Sequence, residues 1–188
     1  MNIANKISTF RILSVPFFIA SLLYYRHPER EFLRWVAFAI FMIAVVSDAV
    51  DGYIARKSKE KSRAGLVLDP LGDKVLLMSS FLCLSFLNEF PLRFPLWVTF
   101  IVISRDAIIL LGAVVVYIVK QNIDIRPTVW GKLTTIFQMC AVTAVLLQWD
   151  LSYLFWSLAV FFTVLSGLDY VRRGFKTLYA ADNCRNHR

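Results

Sequence analysis

Long apolar runs, divided by short and mostly basic polar breaks, set the organisation of this chain. The first run, Ile12 to Tyr25, is shorter than the about 20 residues a helix needs to cross the hydrocarbon of a bilayer. It reaches that length if the helix begins near Ile3 and carries Asn5, Ser8 and Arg11 in its first turns. These three recur every third residue and share one side. Such a stripe is either an interfacial face or the lining of a polar cavity. Pro16 removes one backbone bond and can kink the helix.

After a polar loop, 26–34, the second run, Trp35 to Val46, continues helically through Asp48 to about Arg56. A basic link, Lys57 to Arg63, is too polar to lie in lipid. The third run goes from Leu66 to Phe90, with Pro70 placed to start or bend its helix after Asp69. Phe94 to Val119 is the fourth, interrupted by Ser104, Arg105 and Asp106. Val129 to Trp149 and Leu151 to Tyr170 are the fifth and sixth. The expected fold is therefore all-α, an integral membrane bundle of about six transmembrane helices, forming a single domain over 1–188. Neither an internal repeat nor a flexible linker interrupts it.

Composition sharpens this picture. A hydrophobic fraction of 58% and a mean hydropathy of +0.61 are too apolar for an average soluble domain. The formal charge of +8 then belongs at membrane edges and near anionic lipid, since no soluble domain is left to present it to nucleic acid. Cys83, Cys140 and Cys184 have neither metal spacing nor a disulfide framework. No small-residue cleavage site follows the first apolar run, so a cleavable signal peptide is not expected.

Charge also orients the bundle. With the N-terminus inside, the second-to-third link and its flanks carry Arg56, Lys57, Lys59, Lys61, Arg63 and Lys74. The fourth-to-fifth link adds Lys120, Arg126 and Lys132, and the tail Arg172, Arg173, Lys176, Arg185 and Arg188. The opposite side has Arg26, Arg30, Arg34 and Arg93. That excess predicts a bacterial inner-membrane protein with the 48–73 stretch open to the cytoplasm. Trp35, Trp97 and Trp149 fall near the outer interface and Trp130 near the inner one.

The chemistry concentrates between Asp48 and Asp73. Asp48 and Asp51 are three apart, Asp69 and Asp73 four apart, so each pair shares a helix face. Four carboxylates at the edge of an apolar phase repel one another unless cations lie between them. Oxygen-only ligands suit a hard ion such as Mg²⁺ or Mn²⁺, and the set predicts a two-metal site for phosphoryl chemistry.

The stretch matches D-x-x-D-G-x-x-A-R-x8-G-x-x-x-D-x-x-x-D at every specified position, and this pattern resembles that of the CDP-alcohol phosphatidyltransferase family. Those enzymes displace CMP from a CDP-linked alcohol by a second alcohol, within a six-helix membrane bundle that usually dimerises. The resemblance implies that Asp48, Asp51, Asp69 and Asp73 hold two divalent ions and that Asp73 is the general base. It implies further that Gly52, Ala55, Arg56 and Gly65 line the CDP pocket, and that the protein is a homodimer. The residue chemistry agrees. Gly52 and Ala55 let a nucleotide approach the backbone, Arg56 can fork onto a phosphate, and a carboxylate can take the acceptor's hydroxyl proton.

Two further stretches bear on the acceptor. Asn5-x-x-Ser8-x-x-Arg11 followed by Pro16 is similar to the N-x-x-T-x-x-R…P opening of the phosphatidylglycerophosphate synthase branch, with Ser in place of Thr. Gly131-Lys132-Leu-Thr-Thr135-Ile-Phe-Gln138-Met139 is similar to that branch's G-K-x-x-T-x-x-Q-M segment. The implied reaction transfers a phosphatidyl group from CDP-diacylglycerol to glycerol 3-phosphate. Arg105 and Lys132 are the candidate ligands of the acceptor's phosphate, the alternative being that they snorkel to the interface. Ser104-Arg105-Asp106 with Pro127-Thr128 and Gly131-Lys132 is also similar to CDP-alcohol-type cardiolipin synthases, whose acceptor is phosphatidylglycerol.

Three other readings of the same residues are weaker. The carboxylates could be salt-bridged helix ends paired with Arg56, Lys57 and Lys74, but stability seldom justifies intramembrane carboxylates. A prenyl transferase would place its second acidic motif in a distant helix. A cation transporter built on the Asp cluster would show inverted repeats, which are absent here.

Overall fold

The computed structural model describes the backbone of residues 3–57, 65–120 and 129–186, and side chains over 10–48, 74–109, 111 and 129–173. Among the described residues every regular element is a helix: α1 (Ile3–Leu23), α2 (Phe32–Lys57), α3 (Gly65–Phe86), α4 (Leu96–Lys120), α5 (Val129–Leu146) and α6 (Ser152–Asn186). The six expected runs each became one helix. The links at 58–64 and 121–128, including the basic stretch after Lys57 and Pro127-Thr128, lie outside the described residues.

The exterior is apolar. Phe17, Phe86, Phe100, Leu111, Phe161 and Leu168 all point outward, and Val129–Leu146 and Ser152–Arg173 are apolar over lengths that suit a bilayer. An apolar outside enclosing buried polar groups is the inverse of a soluble domain, and the chain is a helical membrane bundle.

α1 packs along both α2 and α3, α6 along α5 and α4, and α5 reaches across to α2 and α3. The core-facing stripe of α1 is Arg11, Ser14, Val15, Phe18, Ser21 and Leu22, a helical period that leaves Pro16 and Phe17 outside. Phe18, Phe41, Phe81, Leu84, Val98, Val142 and Val145 fill the interior.

Two spans stop earlier than their apolarity suggests. Phe90 was expected to end the third helix, which instead ends at Phe86. Phe90 and Phe94 fold back as a plug: Phe90 stacks on Tyr25 at 4.3 Å and Phe94 on Phe81 at 4.5 Å between ring centres. Their hydrophobicity serves core packing rather than span length.

The fifth helix ends at Leu146, before Trp149, in a left-handed cap at Gln148 (φ 55°). Trp149 N–H donates to the Ala144 carbonyl at 2.9 Å and Gln148 N–H to that of Val145 at 3.0 Å, the paired bonds of a Schellman cap. The Gln148 side-chain amide meanwhile accepts from Leu92 N–H at 2.9 Å and donates to the Leu92 carbonyl at 3.2 Å. One side chain thereby staples the α5–α6 turn to the α3–α4 turn. The sixth helix runs on to Asn186, well past the expected Tyr170.

Candidate active site

Asp48 and Asp51 lie on the last third of α2, and Asp69 and Asp73 on the first half of α3. Gly52, Ala55 and Arg56 follow on α2, and Gly65 opens α3. α1 packs against both helices. The side chains of Asp51, Gly52, Ala55, Arg56, Gly65, Asp69 and Asp73 lie outside the described residues, and Asp48 is the one carboxylate of the set whose surroundings are described.

Arg11 Nη2 is 2.9 Å from Asp48 Oδ1, with the Arg11 side chain 2% and the Asp48 side chain 33% exposed. Arg11 is thus neither an interfacial residue nor a headgroup anchor; the polar stripe of α1 faces inward at this position. Ser14 Oγ donates to the Arg11 carbonyl at 2.7 Å. The salt-bridge reading of the Asp stretch nominated Arg56, Lys57 and Lys74, and Asp48 takes a partner from a different helix altogether.

Lys74, next in sequence to Asp73, turns to α4. Its Nζ donates to both oxygens of Asp106, at 2.8 and 2.9 Å. Asp106 is buried (1% exposed) and also accepts from Arg105 Nη1 at 2.7 Å. Arg105 Nη2 in turn donates to Ser166 Oγ on α6. The cluster therefore ties α3, α4 and α6 together through the residue that follows Asp73 in the chain. Gly167 lies against it, where a Cβ would meet Arg105 Cγ at an ordinary 3.6 Å. Sequence reasoning singled out Arg105 and missed Lys74, Asp106 and Ser166 as its setting. A signal was present, since opposite charges in neighbouring spans are rarely left unpaired in a bilayer.

Lys132, the other candidate for the acceptor's phosphate, is exposed on the first turn of α5. The remainder of its segment packs α5 against α6: Thr134 Oγ1 donates to the Phe162 carbonyl at 2.9 Å, and Gln138 Nε2 to Thr163 Oγ1 at 3.2 Å. Both Thr134 and Gln138 are fully buried.

An apolar-surfaced helical bundle that encloses buried charge defines the class: an integral membrane protein. The profile of the CDP-alcohol phosphatidyltransferase family matches residues 1–165, and the chain belongs to that family. It is similar to the CDP-diacylglycerol--glycerol-3-phosphate 3-phosphatidyltransferase of Bacillus subtilis, at 34% identity over 94% of this chain and 97% of the relative. The enzyme of the same name from Aquifex aeolicus is 28% identical over 95% of this chain and 99% of its own. The rat cardiolipin synthase (CMP-forming) is 30% identical over 85% of this chain and 59% of its own. The protein is a membrane transferase, and enzymes of its family generally depend on a divalent metal.

The donor chemistry of Asp48 suits such an ion. Arg11 holds the Asp48 carboxylate, and the Asp48 side chain is one-third exposed where Arg11 is sealed in the core. Among the described residues no group of three His, Cys, Asp or Glu side chains forms a metal cluster.

Proposed function

We propose that the protein transfers a phosphatidyl group from CDP-diacylglycerol to glycerol 3-phosphate, releasing CMP and forming phosphatidylglycerophosphate. The observation that carries this reading is the unbroken Asp48–Asp73 pattern, set on two helices that α1 holds. Two relatives named for that acceptor span nearly the whole chain. Asp48, Asp51, Asp69 and Asp73 are assigned to two divalent ions, Mg²⁺ or Mn²⁺ by the hardness of the donors. Bound there, the ions offset charge on the leaving CMP and orient the phosphorus for in-line attack.

The rest falls to the chain's own residues. Gly52, Ala55, Arg56 and Gly65 are assigned to the CDP moiety, and Asp73 takes the acceptor's hydroxyl proton. The new oxygen–phosphorus bond then forms as the phosphoanhydride bond to CMP breaks. Lys132 and Arg105 are assigned to the acceptor's phosphate; Arg105 reaches it only in competition with Asp106 and Ser166. The charge distribution supports an inner-membrane protein with this site facing the cytoplasm, and the family resemblance supports a homodimer.

A second reading keeps the mechanism and exchanges the acceptor for phosphatidylglycerol, as the likeness to a cardiolipin synthase suggests. An assay of CMP release in detergent with Mg²⁺ decides between them. Glycerol 3-phosphate, phosphatidylglycerol and inositol phosphate are offered separately, with Asp69→Asn as control. Release with glycerol 3-phosphate alone supports the first reading and release with phosphatidylglycerol alone the second. No release with any acceptor, from the control and the parent alike, would sink both and return the Asp cluster to ion transport.

A further inference from the structure

Arg11 has no place in the chemistry just described, yet it is among the most deeply buried large side chains of the bundle. A guanidinium cannot be deprotonated, so its burial needs an anion or carbonyls to receive it. At 2.9 Å it meets the carboxylate of Asp48. We propose that Arg11 is a positioning residue: it fixes the Asp48 carboxylate in the orientation that a divalent cation meets. This inference rests on the reading of Asp48 as a metal ligand.

Two observations carry it. First, the ion pair is asymmetric in burial, 2% against 33%, so the anchored end is Arg11 and the accessible end is Asp48. A carboxylate held by a sealed guanidinium keeps one rotamer, whereas an unheld, one-third-exposed Asp samples several and must be ordered when the ion binds. Second, Arg11 lies on the core stripe of α1, the helix that packs on both α2 and α3. The anchor is therefore built into the element shared by the two Asp-bearing helices. Partners that orient metal-binding carboxylates typically matter 10–100-fold in metal affinity, by general experience of such sites.

The competing expectation has the opposite sign. A fixed positive charge beside Asp48 repels a dication, so removing it would tighten binding if repulsion outweighed orientation. Mn²⁺ binding to the purified protein in detergent, read by electron paramagnetic resonance without substrate, separates the two. Arg11→Met is expected to weaken Mn²⁺ binding by roughly 10–100-fold, with Arg11→Lys intermediate because it keeps the charge but not the planar fork. Arg11→Met that binds Mn²⁺ as tightly as the parent, or more tightly, overturns the proposal. If Arg11→Met does not fold, the test falls to Arg11→Lys, and unchanged affinity in that variant overturns it equally. Asp69→Asn is the control for the underlying reading. Parent binding that Asp69→Asn leaves intact would place Mn²⁺ elsewhere and remove the metal assignment, and the role of Arg11 with it.

Discussion

Lys74 Nζ lies 2.8 Å from one oxygen of Asp106 and 2.9 Å from the other, joining α3 to α4 one residue beyond Asp73. Asp106 holds Arg105 as well, so a single buried carboxylate pairs with two cations and the trio keeps a net positive charge. Such a hub loses unevenly when its members are removed. Asp106→Leu leaves both cations uncompensated and is expected to cost about 3–5 kcal/mol of stability. Lys74→Met is expected to cost markedly less, because Asp106 keeps Arg105. Thermal unfolding in detergent gives the order, and equal losses from the two variants would contradict the shared-carboxylate arrangement.

The assignment of Asp73 as base separates binding from turnover. Asp73→Asn is expected to lower CMP release by at least ~100-fold, the low end of what a positioned base contributes. Metal-dependent CDP-diacylglycerol binding should survive largely intact. A variant that turned over at the parental rate would move the base elsewhere.

Chelation tests the carboxylate cluster as a whole. Treatment with EDTA is expected to abolish CMP release, and added Mg²⁺ or Mn²⁺ to restore it, since oxygen-only donors bind hard ions reversibly. Activity that persists in excess chelator would rule out metal-assisted transfer.

Lys132 stands exposed at the opening of α5, where a small phosphorylated acceptor can meet it. Lys132→Met is expected to raise the acceptor's KM by roughly 10–100-fold, the worth of one hydrogen bond to a charged group. The KM for CDP-diacylglycerol should stay near its parental value. A change in the donor's KM instead would put Lys132 on the wrong substrate.

At the other end of α3, Gln148 clamps Leu92. Leu92 is far along the chain from Asp73, with about 20 Å of helix between Asp73 and Phe86 at the usual rise per residue. Gln148→Ala is therefore expected to lower stability by about 1–2 kcal/mol for the lost amide bonds, with no change in either KM. Altered substrate affinity in this variant would show that the two ends of the bundle are coupled.

Much of this architecture is legible in the chain itself. The alternation of apolar runs and basic breaks gives the helices, because a bilayer admits only segments that satisfy their own backbone. The spacing of Asp48, Asp51, Asp69 and Asp73 gives the candidate site, because three- and four-residue intervals on a helix bring side chains to one face. Local periodicity suffices for both.

Tertiary structure alone decided the partners. That Arg11 turns inward to Asp48 follows from α1 lying against α2, and no pattern within α1 distinguishes that from an interfacial face. In the sequence Arg105 is a candidate ligand of the acceptor's phosphate or a snorkelling cation; only the convergence of α3, α4 and α6 supplies Lys74 to share its carboxylate and Ser166 to take its other nitrogen. Phe90 read as span and proved to be a plug, for the same reason. Ion pairs and ring stacks join residues distant in sequence, and in an apolar medium their energies depend on geometry that only the packing of the helices fixes.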